Sequence, residues 1–222
     1  TPVQACFLEL APPTIETGVR ALLAAQVQEI IVAPLLLFAA GHAKEDVPNA
    51  VAEALQGLGT LPVRWAQPLD CHAKIVELSA RRFREALASA NVHDQLTDDR
   101  HLILVGRGTS DAEAIERVHH FAALHRRATA VGECAVCFLA ATVPTLDEAI
   151  AAAEGSSATH VVIQPHLLFQ GRLADEVQKR VLRLAENRRE GEPNWHYASH
   201  LGPAPELIDA LLDRITHAVS SD

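Results

Sequence analysis

Part of this chain occurs twice, and that repeat restricts its fold more than any other feature. Cys6–Phe38 aligns with Cys137–Phe169 at a constant offset of 131 without a gap, and ten of the thirty-three positions are identical. The identities include Cys6-Phe7-Leu8 with Cys137-Phe138-Leu139, Pro13-Thr14 with Pro144-Thr145, and Leu36-Leu37-Phe38 with Leu167-Leu168-Phe169. Ile30-Ile31-Val32 answers Val161-Val162-Ile163, which preserves both size and β propensity. After a small shift Trp65 answers Tyr197 and Leu69 answers Leu201. One supersecondary unit is therefore used twice, and the two copies must fold alike.

Seven apolar, β-branched runs are expected as strands: Val3–Leu10, Glu29–Leu37, Pro62–Ala66, His101–Gly106, Ala130–Leu139, His160–Leu168 and Trp195–Ser199. They alternate with helical patterns at Pro13–Ala25, Asp46–Leu55, Ala73–Ala88, Ala112–His125, Pro144–Ala153, Ala174–Leu184 and Pro205–Ala218. Continuously apolar strands alternating with helices define an α/β chain with parallel sheets covered on both faces. Two homologous halves are expected, 1–92 and 101–222, meeting at the polar stretch Val92–Arg100. The second half opens with a strand, the turn Arg107-Gly108-Thr109-Ser110 and a helix before it reaches Cys137, and nothing before Cys6 matches them. The repeat leads us to expect a strand, a glycine turn and a helix, roughly 30 residues, ahead of Thr1.

Two residues stand out as chemistry. The run Leu35–Phe38 ends a strand, and small residues lead into His42 at the carboxyl end of the sheet, with Asp46 placed to cap the next helix and Pro48 in its first turn. Loops at that edge of open α/β folds bind ligands. Imidazole is the commonest metal-binding side chain and accepts protons near neutral pH, so His42 is a candidate for both roles. Glu9 ends the Phe7-Leu8-Glu9-Leu10 run at the same edge, where apolar neighbours are expected to desolvate its carboxylate and suit it to proton transfer. A capping histidine and a surface glutamate are the ordinary alternatives. The second copy has Ala140 in place of Glu9, and Gly171-Arg172-Leu173-Ala174 in place of Gly41-His42-Ala43-Lys44 after one deletion. Both reactive groups vanish while the scaffold residues stay. That pattern points to one working site in the first copy and a second copy kept for shape or substrate binding.

Other motifs carry less. Val105-Gly106-Arg107-Gly108-Thr109-Ser110-Asp111 follows a strand and opens a helix, so its amides can hold an anion, or it is a plain turn. Asp111 takes the last glycine's place in G-x-G-x-x-G, and no G-x-x-x-x-G-K-[ST] occurs. Cys134 and Cys137 have C-x-x-C spacing, but alternate strand faces separate them. His72 reads as a surface residue with the option of lining a site, His119, His120 and His125 as solvated, and His166 as a strand-end hydrogen-bonder. A net charge of −9 disfavours nucleic acid and anionic membranes. The longest apolar stretch, Ile30–Gly41, is interrupted by Pro34 and falls short of the roughly 20 residues a membrane helix needs. Four cysteines in apolar surroundings suit a reducing cytoplasm.

The run Pro34-Leu35-Leu36-Leu37-Phe38-Ala39-Ala40-Gly41-His42-Ala43-Lys44-Glu45-Asp46-Val47-Pro48, with Phe7-Leu8-Glu9 upstream, resembles the long form of the CbiX sirohydrochlorin cobaltochelatases. These are ATP-independent class II chelatases. The resemblance covers essentially the whole chain, because Val105–Asp111, Pro165–Arg172 and Leu201-Gly202-Pro203 look like the degenerate second half of such proteins. It implies two chelatase-like halves with a cleft between them that takes a sirohydrochlorin-type tetrapyrrole. His42 and Glu9 would hold the metal and take the pyrrole protons, while Lys44, Arg107 and Arg172 would bind substrate carboxylates. The family's second histidine lies in a Gly-His-Gly-Ser turn, whose counterpart here is Gly106-Arg107-Gly108-Thr109 and whose own place is the segment expected ahead of Thr1. No cofactor is implied beyond the substrate metal. The resemblance favours Co2+, and Fe2+ and Ni2+ suit the same donors. The tetrapyrrole and the metal are the expected partners of a cytoplasmic monomer, with a ferrochelatase for siroheme or a non-catalytic tetrapyrrole or metal carrier as competing readings.

Overall fold

The computed structural model describes residues 1–39, 42–57, 61–92 and 99–220, with the backbone alone at 42 and 43. Its elements run α1 (Ile15–Ala24), β1 (Ile30–Val32), α2 (His42–Leu55), β2 (Val63–Trp65), α3 (Ala73–Ser89), β3 (Arg100–Gly106), α4 (Ala112–Thr129), β4 (Glu133–Phe138), α5 (Leu146–Glu154), β5 (His160–Pro165), α6 (Arg172–Glu186), β6 (Asn194–Tyr197) and α7 (Pro205–Ser220). Packing divides them into two compact units, Thr1–Pro68 with Leu211–Asp222, and Leu69–Ala210. This partition differs from the division by homology: α3 belongs to the first copy of the repeat and packs within the second unit. The stretch 93–98 of the expected linker lies outside the described residues, and Arg100 is the buried first residue of β3.

In the second unit the sheet order is β4-β3-β5-β6, all parallel. Leu102–Val105 of β3 and Val161–Ile163 of β5 are almost wholly buried, as central strands covered on both faces must be. Ile103, Val105, Val161 and Ile163 pack with Ile150 of α5 and Val177 and Val181 of α6. The opposite face sets Leu102 and Val162 against Phe83 and Leu87 of α3. Local signals place the helix starts. Thr145 accepts from the Glu148 amide while the Glu148 carboxylate accepts from the Thr145 amide, a reciprocal capping box. Asp111 caps α4 by accepting from the Ala114 amide.

The first unit holds β1 paired in parallel with β2, flanked by α1 and α2 around Ile15, Val19, Ile30, Val51 and Ala54. The repeat is visible in the hydrogen bonding. Ile30↔Val63 through Val32↔Trp65 reproduces Val161↔Trp195 through Ile163↔Tyr197, and the bridge Phe7↔Thr14 reproduces Phe138↔Thr145. Val3–Leu10, however, is not a strand. Among the described residues it makes only that bridge, and Val3, Phe7, Leu8 and Leu10 are 85%, 48%, 41% and 99% exposed. Its counterpart β4 is a strand because β3 lies beside it. β propensity without a pairing partner does not make a strand.

Candidate functional site

The strand order sets where ligands can approach. From β3 the chain passes to β4 on one side, and from β5 to β6 on the other. The loops leaving β3 and β5 thus diverge above their carboxyl ends, which is the ligand-binding switch point of an open α/β sheet. Arg107 follows β3 and is exposed; Arg172 opens α6 with its side chain 89% exposed and 3.8 Å from Glu176. Both arginines therefore flank the switch point of the second unit. Ala140, the counterpart of Glu9, lies beside Arg107 and donates its amide to the Arg107 carbonyl at 3.1 Å.

The first unit repeats the helix start with a different side chain. His42 is the first residue of α2, as Arg172 is of α6. It opens a helix and does not sit in a loop before one, which corrects the expected start at Asp46. Asp46 and Pro48 lie inside α2, where the proline removes one intrahelical donor near the helix start. Gly41 and the His42 side chain lie outside the described residues. Glu9 is exposed, and so are its flanking apolar residues, so the desolvation expected around its carboxylate is not there. Lys44 is exposed on the first turn of α2. Glu9, His42 and Lys44 thus fall in one unit, and Arg107 and Arg172 in the other.

Sequence reasoning missed the polar interior below Arg107 and Arg172. His125 is fully buried, not solvated, and His166, just past β5, is 3% exposed. Phe83 meets the His125 ring edge-on at 5.8 Å, and Phe121 lies 4.2 Å from the His166 ring. Burial pushes His125 down to about 4 and His166 to about 3, so both are neutral at pH 7. Gln164 on β5 donates to the Ser79 carbonyl and hydroxyl at 3.0 and 2.9 Å, which ties α3 to the strand below the β5–α6 loop. The spacing held the signal: Val118, Phe121, Ala122, His125 and Thr129 make one buried stripe on α4.

The remaining candidates are structural. His72 caps α3, its Nδ1 accepting from the Lys74 amide at 3.2 Å. Cys134 belongs to the α3-side cluster and Cys137 to the opposite one, and burial pushes both thiols up to about 12. His160 and His196 share an N–H···N bond of 2.9 Å at the amino-terminal end of β5, away from Arg172. Among the described residues no cluster of three or more metal-binding side chains forms, and no helix is long and apolar enough to cross a membrane.

The sequence profile of the CbiX family matches residues 1–86 and 101–218. The chain is 31% identical over 221 residues to the sirohydrochlorin ferrochelatase of Priestia megaterium, covering 99% of this chain and 79% of that protein. It is 26% identical over 220 residues to a sirohydrochlorin cobaltochelatase of the same organism, covering 99% and 70%. Among solved structures it resembles SirB from Bacillus subtilis with Fe3+, with a TM-score of 0.85 and 30% identity over 99% of this chain and 83% of that one.

Proposed function

The chain belongs to the CbiX family, and we propose that it inserts a divalent metal into sirohydrochlorin without ATP. One observation carries this reading. A scaffold repeated down to its strand register differs where chemistry would be done, with His42 and Glu9 in one copy against Arg172 and Ala140 in the other. Relatives named for sirohydrochlorin ferrochelatase and cobaltochelatase activity support the substrate class.

In this proposal the macrocycle core loses two N–H protons as the dication enters, so charge balances and no phosphoryl energy is needed. The His42 imidazole has one available lone pair, so it holds the metal first and takes a proton after the metal has left for the ring. Glu9, exposed and able to exchange with water, accepts the other. Sirohydrochlorin is a polycarboxylate while the chain carries a net charge of −9, so local cations must do the holding. Lys44, Arg107 and Arg172 are assigned that role, the arginines through bidentate pairing.

The metal assigned from the family resemblance is Co2+, which a nitrogen and oxygen donor set also binds more tightly than Fe2+. A second reading, Fe2+ for siroheme, is favoured by the higher identity to the ferrochelatase, 31% against 26%. The test is anaerobic incubation of protein, sirohydrochlorin and either metal without ATP, followed by absorbance. Insertion of Co2+, alone and in competition, is expected. Insertion of Fe2+ alone would assign the second reading. Tetrapyrrole binding without turnover would make the protein a carrier.

A further inference from the structure

Two imidazoles bridge the last strand of the four-stranded sheet to its neighbour. His160 opens β5, and His196 lies on β6 at the end of the strand order. The register pairs Val162 with His196, and side chains two residues apart share a sheet face, so both rings project from the same side. His160 Nδ1 and His196 Nε2 are 2.9 Å apart, with the rings inclined by 26° and their centroids at 5.2 Å. Val161 and Trp195 beside them are buried and fix the backbone beneath. Both histidines are half-buried, so the pair borders solvent.

The repeat supplies an internal comparison. His160 answers Glu29 at the offset of 131, and the shift that matches Trp65 with Tyr197 makes His196 answer Arg64. In the first copy these two positions form an ion pair, Arg64 Nε to Glu29 at 3.0 Å. Opposite charges clasp the strands there. The second copy holds two like rings in the same place, and no difference of charge draws them together. Burial pushes His196 down to about 4 and lowers His160 as well, so near pH 7 both are neutral and each keeps a lone pair.

The distance between the nitrogens selects what the lone pairs can hold. Metal–imidazole bonds of about 2.0–2.1 Å place two nitrogens about 2.9 Å apart when they meet the ion at a right angle, and about 3.3–3.4 Å apart at tetrahedral positions. Right angles belong to the square-planar and tetragonal sites of Cu2+ and Ni2+. Asp99 draws positive charge toward His160 whereas Arg100 and Arg188 repel it. Point-charge attraction is therefore offset, and the nitrogen donors must do the holding. An ion that enters replaces the hydrogen shared by the rings. That hydrogen passes through water to the far nitrogen of its own ring, so the pair stays neutral and no proton is lost.

We propose that His160 and His196 form a two-imidazole site for Cu2+ or Ni2+, completed by water, at the end of the sheet away from Arg107 and Arg172. The site needs neither tetrapyrrole nor His42, so it stands or falls apart from the chelatase reading.

The test is calorimetric titration of the protein with Cu2+ and with Ni2+ at pH 7, without tetrapyrrole. His160→Gln and His196→Gln should each weaken the same one equivalent of binding at least about tenfold. His120→Gln, at an exposed histidine of α4, should match the parent. Parent-like titrations of both bridge variants would overturn the proposal, and so would an effect of only one of them. A second measurement needs no variant. Cu2+ added to the parent should broaden the ring resonances of His160 and His196 together, and rings that stay sharp at saturation would also overturn the proposal.

Discussion

Gly108→Ala is the substitution that the turn after β3 tolerates least. Gly108 has a φ of +98°, and a Cβ built there would stand 1.7 Å from the Ala140 oxygen and 2.8 Å from its carbonyl carbon. The obstacle is backbone, held in place by Leu139 donating to the Gly106 carbonyl and Ala140 to the Arg107 carbonyl, each at 3.1 Å. Neither can swing aside as a side chain would. Forcing alanine into that backbone region costs about 1–3 kcal/mol, and parting the two segments gives up two hydrogen bonds at about 1 kcal/mol each. The total of about 3–5 kcal/mol corresponds to a fall in melting temperature of about 6–20 °C for a chain of this size. Gly171→Ala is the matched control, with φ at 171° and nothing within 4 Å of its built Cβ, and should change stability by under about 0.5 kcal/mol. Thermal and urea melts followed by circular dichroism measure both. A Gly108→Ala protein that melts within 1 °C of the parent, on the order of the expected control shift, would refute the reasoning.

Three further outcomes are expected. Burial holds His125 and His166 below the ordinary 6.5, near 4 and 3, so the unfolded chain takes up protons first; stability is full above pH 6.5 and falls toward pH 3 to 4. His125→Phe should flatten that loss in urea melts run across the range, and an unchanged slope would remove His125 as its source. Arg107→Ala and Arg172→Ala should each raise KM more than they lower kcat in steady-state assays, since a permanent cation binds and does not titrate; a loss confined to kcat would place either residue in the chemistry. Iodoacetamide at pH 8 should alkylate exposed Cys6 in the folded protein and spare Cys134 and Cys137, whose thiols burial holds near 12; modification of either before unfolding would contradict that.

The repeat made the architecture legible because register follows from local pattern. Ile30-Ile31-Val32 against Val161-Val162-Ile163 foretold two strands pairing identically, and they do. What could not be read locally depends on a distant partner. Val3–Leu10 has a strand's composition and remains coil, because pairing across a sheet is non-local. The start of α2 was misplaced for the opposite reason: Asp46 and Pro48 are good local start signals, yet the helix begins at His42 and accommodates the proline inside it. The lack of a partner carboxylate near His125 in sequence suggests a solvated ring, whereas its place on the α4 stripe buries it. For the site, the positions of Arg107 and Arg172 followed from strand ends, whereas the exposure of Glu9 followed from a strand that does not form.

The central claim is that His42 performs metal insertion, and His42→Ala tests it most directly. The variant and the parent are incubated with sirohydrochlorin and Co2+ without ATP, and the absorbance change is followed while thermal melts are run in parallel. General-base catalysis alone contributes about 10²–10⁴-fold, so the rate should fall at least about a hundredfold, with the melting temperature close to that of the parent. A folded His42→Ala protein that inserts Co2+ at a near-normal rate would contradict the account.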